Sequence, residues 1–140
     1  MNASVEAHEH IDNYSLVFEM CGRWPSFHDG EVQRLVLDST RRDAYGDRYS
    51  SIELVVRGWN KLADAAEWDS VVHFLFEEVT DVELDGLNHQ NVLSGLDFEI
   101  DLANGDGSSL LSVELCHCYG LSGVFKARRA KVLSVTPYLG

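Results

Sequence analysis

Two short segments concentrate the side chains able to do chemistry. The first reads Trp24-Pro25-Ser26-Phe27-His28-Asp29-Gly30-Glu31-Val32 and the second Gly86-Leu87-Asn88-His89-Gln90-Asn91-Val92-Leu93. Brought together, His28, Asp29, Glu31, Asn88, His89, Gln90 and Asn91 would set two imidazoles beside two carboxylates, a group able to exchange protons or hold a metal. The same residue types at loop-to-strand junctions also serve a plainer purpose. Asn, Asp, His and Ser there satisfy backbone N–H and C=O groups that no ladder reaches. No Ser or Cys sits in a motif that would place a base beside it, and there is no Gly-rich phosphate loop. The seven residues therefore read as partner-binding or structural rather than catalytic, with no cofactor. The alternative is a small-molecule-binding or hydrolytic domain built on the segments around His28 and His89.

Cys116-His117-Cys118 is a second cluster of donor atoms, but it lacks the further ligand pair of a structural zinc site. Cys116 and Cys118 would share one face of a strand. With Cys21 they make an odd, reduced set, read here as buried thiols packing as small hydrophobes, and no metal is expected.

The elements that must position these residues form a mainly antiparallel pattern. Residues 9–20 carry Ile11, Tyr14, Leu16, Val17 and Phe18 at helical spacing, and Gly22 would end that helix. Period-two alternation then takes over. Strands are expected over residues 31–38, with Leu35 and Leu37 on one face, and 51–57, with Ile52, Leu54 and Val56 inward. A charged connection containing Gly46-Asp47 joins them. Residues 57–69 fit a loop or a helical turn. Residues 71–76 and 81–84 read as two further strands. The alternation is clearest over residues 96–102, where Leu96, Phe98, Ile100 and Leu102 face in and Asp97, Glu99 and Asp101 face out. The Asn104-Gly105-Asp106-Gly107 turn leads to a strand over 110–116, and residues 123–135 supply one or two more before Pro137. The expected fold is α+β: one domain over residues 1–140, an antiparallel sheet with one N-terminal helix. Phe98, Ile100, Leu111, Val113 and Phe125 are placed in the core.

Charge narrows the function. The chain has 23 acidic and 11 basic side chains, a formal net charge of −12. Between residues 62 and 125 there are thirteen Asp or Glu and no Lys or Arg. The basic side chains return as Lys126, Arg128, Arg129 and Lys131, of which Lys126 and Arg128 are natural cross-strand partners for the outward acids of the 96–102 strand. Such a field repels phosphate backbones and anionic lipid, which argues against nucleic acid and membranes as partners, and it steers cationic ones. The polar, acidic start lacks the features of a signal peptide, and no apolar run is long enough to span a bilayer, so a cytoplasmic location is expected.

The segment from Trp24 to Val32, the pattern Phe74-x-Phe-x-x-Val-x-Asp-Val-x-Leu84 and Leu87-Asn-His-Gln-Asn-Val92 together resemble a bacterial polymorphic-toxin immunity family, immunity protein 50, in the same order over roughly residues 18–137. That resemblance implies a non-enzymatic protein that binds a cognate toxin domain and neutralises it. No toxin-contacting residue carries over with it.

Overall fold

The computed structural model describes residues 6–59, 69–101 and 110–138. A single 3-10 turn (Ala7–His10) and one short helix, α1 (Ser15–Cys21), precede six strands: β1 (Glu31–Arg42), β2 (Arg48–Trp59), β3 (Asp69–Asp85), β4 (Val92–Asp101), β5 (Leu110–Tyr119) and β6 (Ser122–Pro137). All pair antiparallel, in the closed order β1-β2-β3-β6-β5-β4. Two three-stranded meanders, β1-β2-β3 and β4-β5-β6, are thus joined by a long β3–β6 ladder. The opposite side closes through a much shorter seam, in which the only ladder pair is Glu31–Val92. Among the described residues, no helix is long and apolar enough to cross a membrane.

The expected mainly antiparallel sheet with a helix near the N-terminus is present, and the differences have local causes. The N-terminal helix is shorter than its apolar spacing implies. Asn13, with φ 65°, breaks it, and Asp12 instead bridges to β6, donating its N–H to the Ala130 carbonyl and accepting from Val132. Gly22 does end α1, in a left-handed cap with φ 77°. The hairpin connection shrinks to residues 43–47, and both flanking strands are correspondingly longer than their alternation implied. Residues 71–76 and 81–84 belong to one strand, not two. Val72, Phe74 and Phe76 point inward, and Val79 then does so on the opposite parity. Left-handed Glu78 (φ 54°) lies between Phe76 and Val79 and accounts for this phase change; left-handed Asp81 (φ 54°) and a bulge after Thr80 follow it. β6 shifts phase alongside it, so that Ala127 and Ala130 face in while Lys126, Arg128, Arg129 and Lys131 are turned away. The Asn104–Gly107 turn and most of the 57–69 segment lie outside the described residues.

Aromatic rings fill the barrel. Phe27, Phe74, Phe76 and Phe125 are fully buried and touch in sequence, at centroid distances of 6.0, 5.7 and 5.0 Å. Leu111, Val113 and Phe125 are core residues as expected, whereas Phe98 and Ile100 are only partly buried and pack on its margin. Trp24 completes the group, stacked on His8 at 4.7 Å and edge-on to Phe27, Phe74 and Phe98. Phe27 holds a left-handed backbone (φ 61°), unusual for a bulky residue. Its ring presses on Gly58, where an added Cβ would lie 3.3 Å from the ring. Phe27→Ala removes this plug, and urea denaturation is expected to show a loss of about 3–5 kcal/mol.

Candidate functional site

The two polar segments meet at the seam, through backbone more than side chains. The turn ahead of β1 is closed by the Gly30 N–H bonding to the Phe27 carbonyl at 2.8 Å, and a Cβ on Gly30 would lie 2.7 Å from that carbonyl. Asp29 donates its N–H to Leu93, Leu93 donates to Gly30, and Val32 donates to Asn91, at 2.9, 2.8 and 2.8 Å.

Asn91 is the one buried polar residue of the seven, at 7% exposure. Its Oδ1 accepts from the backbone N–H of Asn88 (3.0 Å) and of Leu121 (2.9 Å), and its Nδ2 donates to the Asn88 carbonyl (3.0 Å). One carboxamide therefore ties the β3–β4 crossover to the β5–β6 turn, while its own carbonyl holds β1. Gly120 makes the close approach possible: a Cβ there would stand 2.5 Å from the Gln90 carbonyl and 2.6 Å from Asn91 Oδ1. His28, Asp29, Asn88 and His89 bond locally. His28 Nδ1 lies 3.3 Å from Asp29 Oδ2 on the surface. His89 Nδ1 lies 2.8 Å from Asn88 Oδ1, with its ring edge-on to the exposed Tyr119.

A groove of about 1,080 Å³ opens beside the seam. Glu31, Asn88, His89, Gln90 and Asn91 line it together with the first half of β1, whereas His28 and Asp29 do not. Proximity thus holds for the two segments, but their histidines do not converge on a shared group. Among the described residues the one set of three potential metal ligands lies elsewhere, at Asp97, Glu114 and Cys116.

That set belongs to a feature which residue types alone did not reveal. Ladder register places Glu83 beside Val124, Val124 beside Glu114, and Glu114 beside Asp97, so one row crosses β3, β6, β5 and β4. Three carboxylates and one exposed valine, Val124 at 39%, occupy it. Glu114 and Asp97 are directly opposed, an arrangement that destabilises a sheet. Asp81 and Glu99 extend the acidity along a groove of about 620 Å³, in which Lys126 is the only basic side chain among the described residues. Lys126 is held to Asp101 at 3.3 Å. Elsewhere the excess acidity is partly matched: Glu77 and Glu78 meet Arg129 and Lys131 at 3.2–3.9 Å.

The thiols depart from expectation. Leu111, Val113 and Leu115 face inward, so period two turns Cys116 and Cys118 outward. Cys118 is exposed and Cys116 half-buried, as is Cys21. Cys116 lies 3.4 Å from Asp97 Oδ2. Burial, the hydrogen bond to Asp97 and the charges of Asp97 and Glu114 push its pKa up to about 11. At pH 8 a disulfide reagent is expected to label Cys118 first and Cys116 about 100-fold more slowly than an ordinary thiol, read by mass spectrometry. Asn91→Ala leaves two backbone N–H groups and one carbonyl without their partner and is expected to cost about 3 kcal/mol in urea denaturation. Compared with protein-family models, with curated proteins and with solved structures, the chain has no match.

Proposed function

We propose that the protein is an immunity protein that binds a bacterial toxin domain and neutralises it by occlusion, with the acidic groove across β3, β6, β5 and β4 as its contact surface. The observation that carries this reading is the row Glu83–Val124–Glu114–Asp97. It sets like charges opposite each other around an exposed apolar residue, at a cost to the free protein that a cationic partner would relieve. Acidic side chains around an apolar centre also match the anatomy of an interface, where the rim sets the association rate and a few central contacts set the lifetime. The motif resemblance to an immunity family supports the same reading. Trp59, Trp68 and Tyr119 are aromatic candidates for buried anchors of such a contact: Tyr119 is exposed, and the side chain of Trp59 and the whole of Trp68 lie outside the described residues.

The groove beside the seam favours a small-molecule reading by its size alone. Of its polar side chains, those of Asn88, His89 and Asn91 already bond one another or the backbone, which leaves these three few atoms for a ligand.

Co-expression with a toxin domain encoded beside this chain tests the proposal, with growth protection and association rates as readouts. Reversing Glu83, Glu114 and Asp97 to Lys is expected to slow association about 10–1,000-fold at low ionic strength and to abolish its salt dependence. Glu114→Gln alone is expected to stabilise the free protein by about 0.2–1 kcal/mol while weakening the complex. Absence of protection by the wild-type chain would remove the immunity reading. Protection by the triple variant with association as fast and as salt-dependent as that of the wild type would remove the groove as the contact surface.

A further inference from the structure

β1 is paired along its whole length with β2, but among the described residues its other edge is nearly bare. There the ladder with β4 consists of Glu31–Val92, and the last backbone bond is from Val32 to Asn91. From Gln33 onward no described strand pairs with that edge. Register shifts bracket the regular stretch, one between Val32 and Arg34 and one between Asp38 and Arg41, so residues 34–38 form an uninterrupted extended segment. Its sequence is Arg34-Leu35-Val36-Leu37-Asp38. Leu37 is 58% exposed on the same face as Leu35, and both line the groove beside the seam, across from Leu87, which is 74% exposed.

We propose that the protein forms a twofold-symmetric dimer by pairing this edge of β1, over residues 34–38, antiparallel with the same edge of a second copy. Antiparallel pairing about Val36 sets each residue opposite a complement. Arg34 faces Asp38 of the second copy, Leu35 faces Leu37, and Val36 meets Val36 on the axis. The segment is palindromic in apolarity and opposite in charge at its two ends, which is what an isologous strand pair requires. Two opposite-charge pairs and two leucine pairs form at once, and cross-strand contacts of both kinds stabilise antiparallel sheets. The pairing also covers the exposed Leu37 and supplies hydrogen-bond partners to an edge that would otherwise template aggregation. In the isolated chain Asp38 accepts from the Thr40 hydroxyl at 2.6 Å and lies 3.9 Å from Arg41 Nε, so its carboxylate is already oriented at the end of the segment. The groove beside β1 and the acidic groove share no lining residue, so the dimer leaves the proposed toxin-binding surface open on both copies.

Sedimentation velocity on the full chain gives the first test. A reversible monomer–dimer equilibrium is expected, with Kd between about 1 µM and 1 mM for an interface this small. A chain that stays monomeric to about 1 mM overturns the proposal and leaves the edge to a foreign strand. Val36→Cys in a Cys118→Ser background gives the second test. Directly opposed residues in an antiparallel pair stand about 4.5–5.5 Å apart at Cα, within disulfide reach. Mild oxidation is expected to trap a covalent dimer, whereas Val124→Cys in the same background is expected to trap none. Dimerisation without a Val36→Cys cross-link would place the interface elsewhere and overturn the proposal. Charge reversal separates this contact from a folding defect. Arg34→Asp and Asp38→Arg are each expected to weaken dimerisation at least about 10-fold, and the double variant to restore it, with circular dichroism unchanged throughout. Failure of the double variant to restore the dimer also counts against the pairing.

Discussion

The barrel depends on a seam one ladder pair long, and that seam depends on Asn91. Everywhere else the strands share many pairs, but β1 and β4 meet only at Glu31–Val92 and the few backbone bonds around it. A seam so short would fray if the crossover beside it were free to move. The Asn91 carboxamide prevents this by tying the crossover to the β5–β6 turn, and Gly120 leaves the space for it. Phe27 acts from the other side. Its ring plugs the barrel, and the turn it initiates delivers Gly30 to Leu93. A left-handed Phe is held only where its surroundings over-determine it, and here the aromatic core does so.

That architecture explains why the two polar segments look like a site and behave largely as a joint. Asn88 and Asn91 bond backbone, His28 and His89 bond their own chain neighbours, and only the groove alongside remains available. The residues that place charge where a partner could use it are outward members of strands, dispersed in sequence. Glu83, Asp97 and Glu114 become a row through register alone.

Legibility followed the same division. Ile52, Leu54 and Val56 alternate without interruption and are all buried, so their strand could be read directly. The turn at Gly46 and the cap at Gly22 are local chemistry and were equally plain. β3 was not, because left-handed Glu78 shifts the phase of its alternation mid-strand. Its bulges are set by pairing with β6, and no single stretch of sequence encodes that. The cysteines show the converse. Parity with Leu111, Val113 and Leu115 would have turned Cys116 and Cys118 outward, but their hydrophobicity suggested the core. The contact between the two polar segments could be anticipated because both are junctions. The Glu114–Asp97 opposition could not, since it needs the register of β4 on β5.

The division into two meanders has a consequence for how the chain reaches this state. Within each meander most pairings are between consecutive strands and close short loops. The ladder that unites them joins Val72 to Val135 and Phe74 to Val132, residues from distant parts of the chain. Closing such loops costs entropy before any contact is gained, so the β3–β6 docking step sets the folding rate and places this barrel among slow folders, on a timescale of about milliseconds to seconds. Until then each meander exposes the edge that will pair and the aromatic face that will be buried. Newly made chains are thus most vulnerable to mutual entanglement in the interval when both halves are formed but not yet joined.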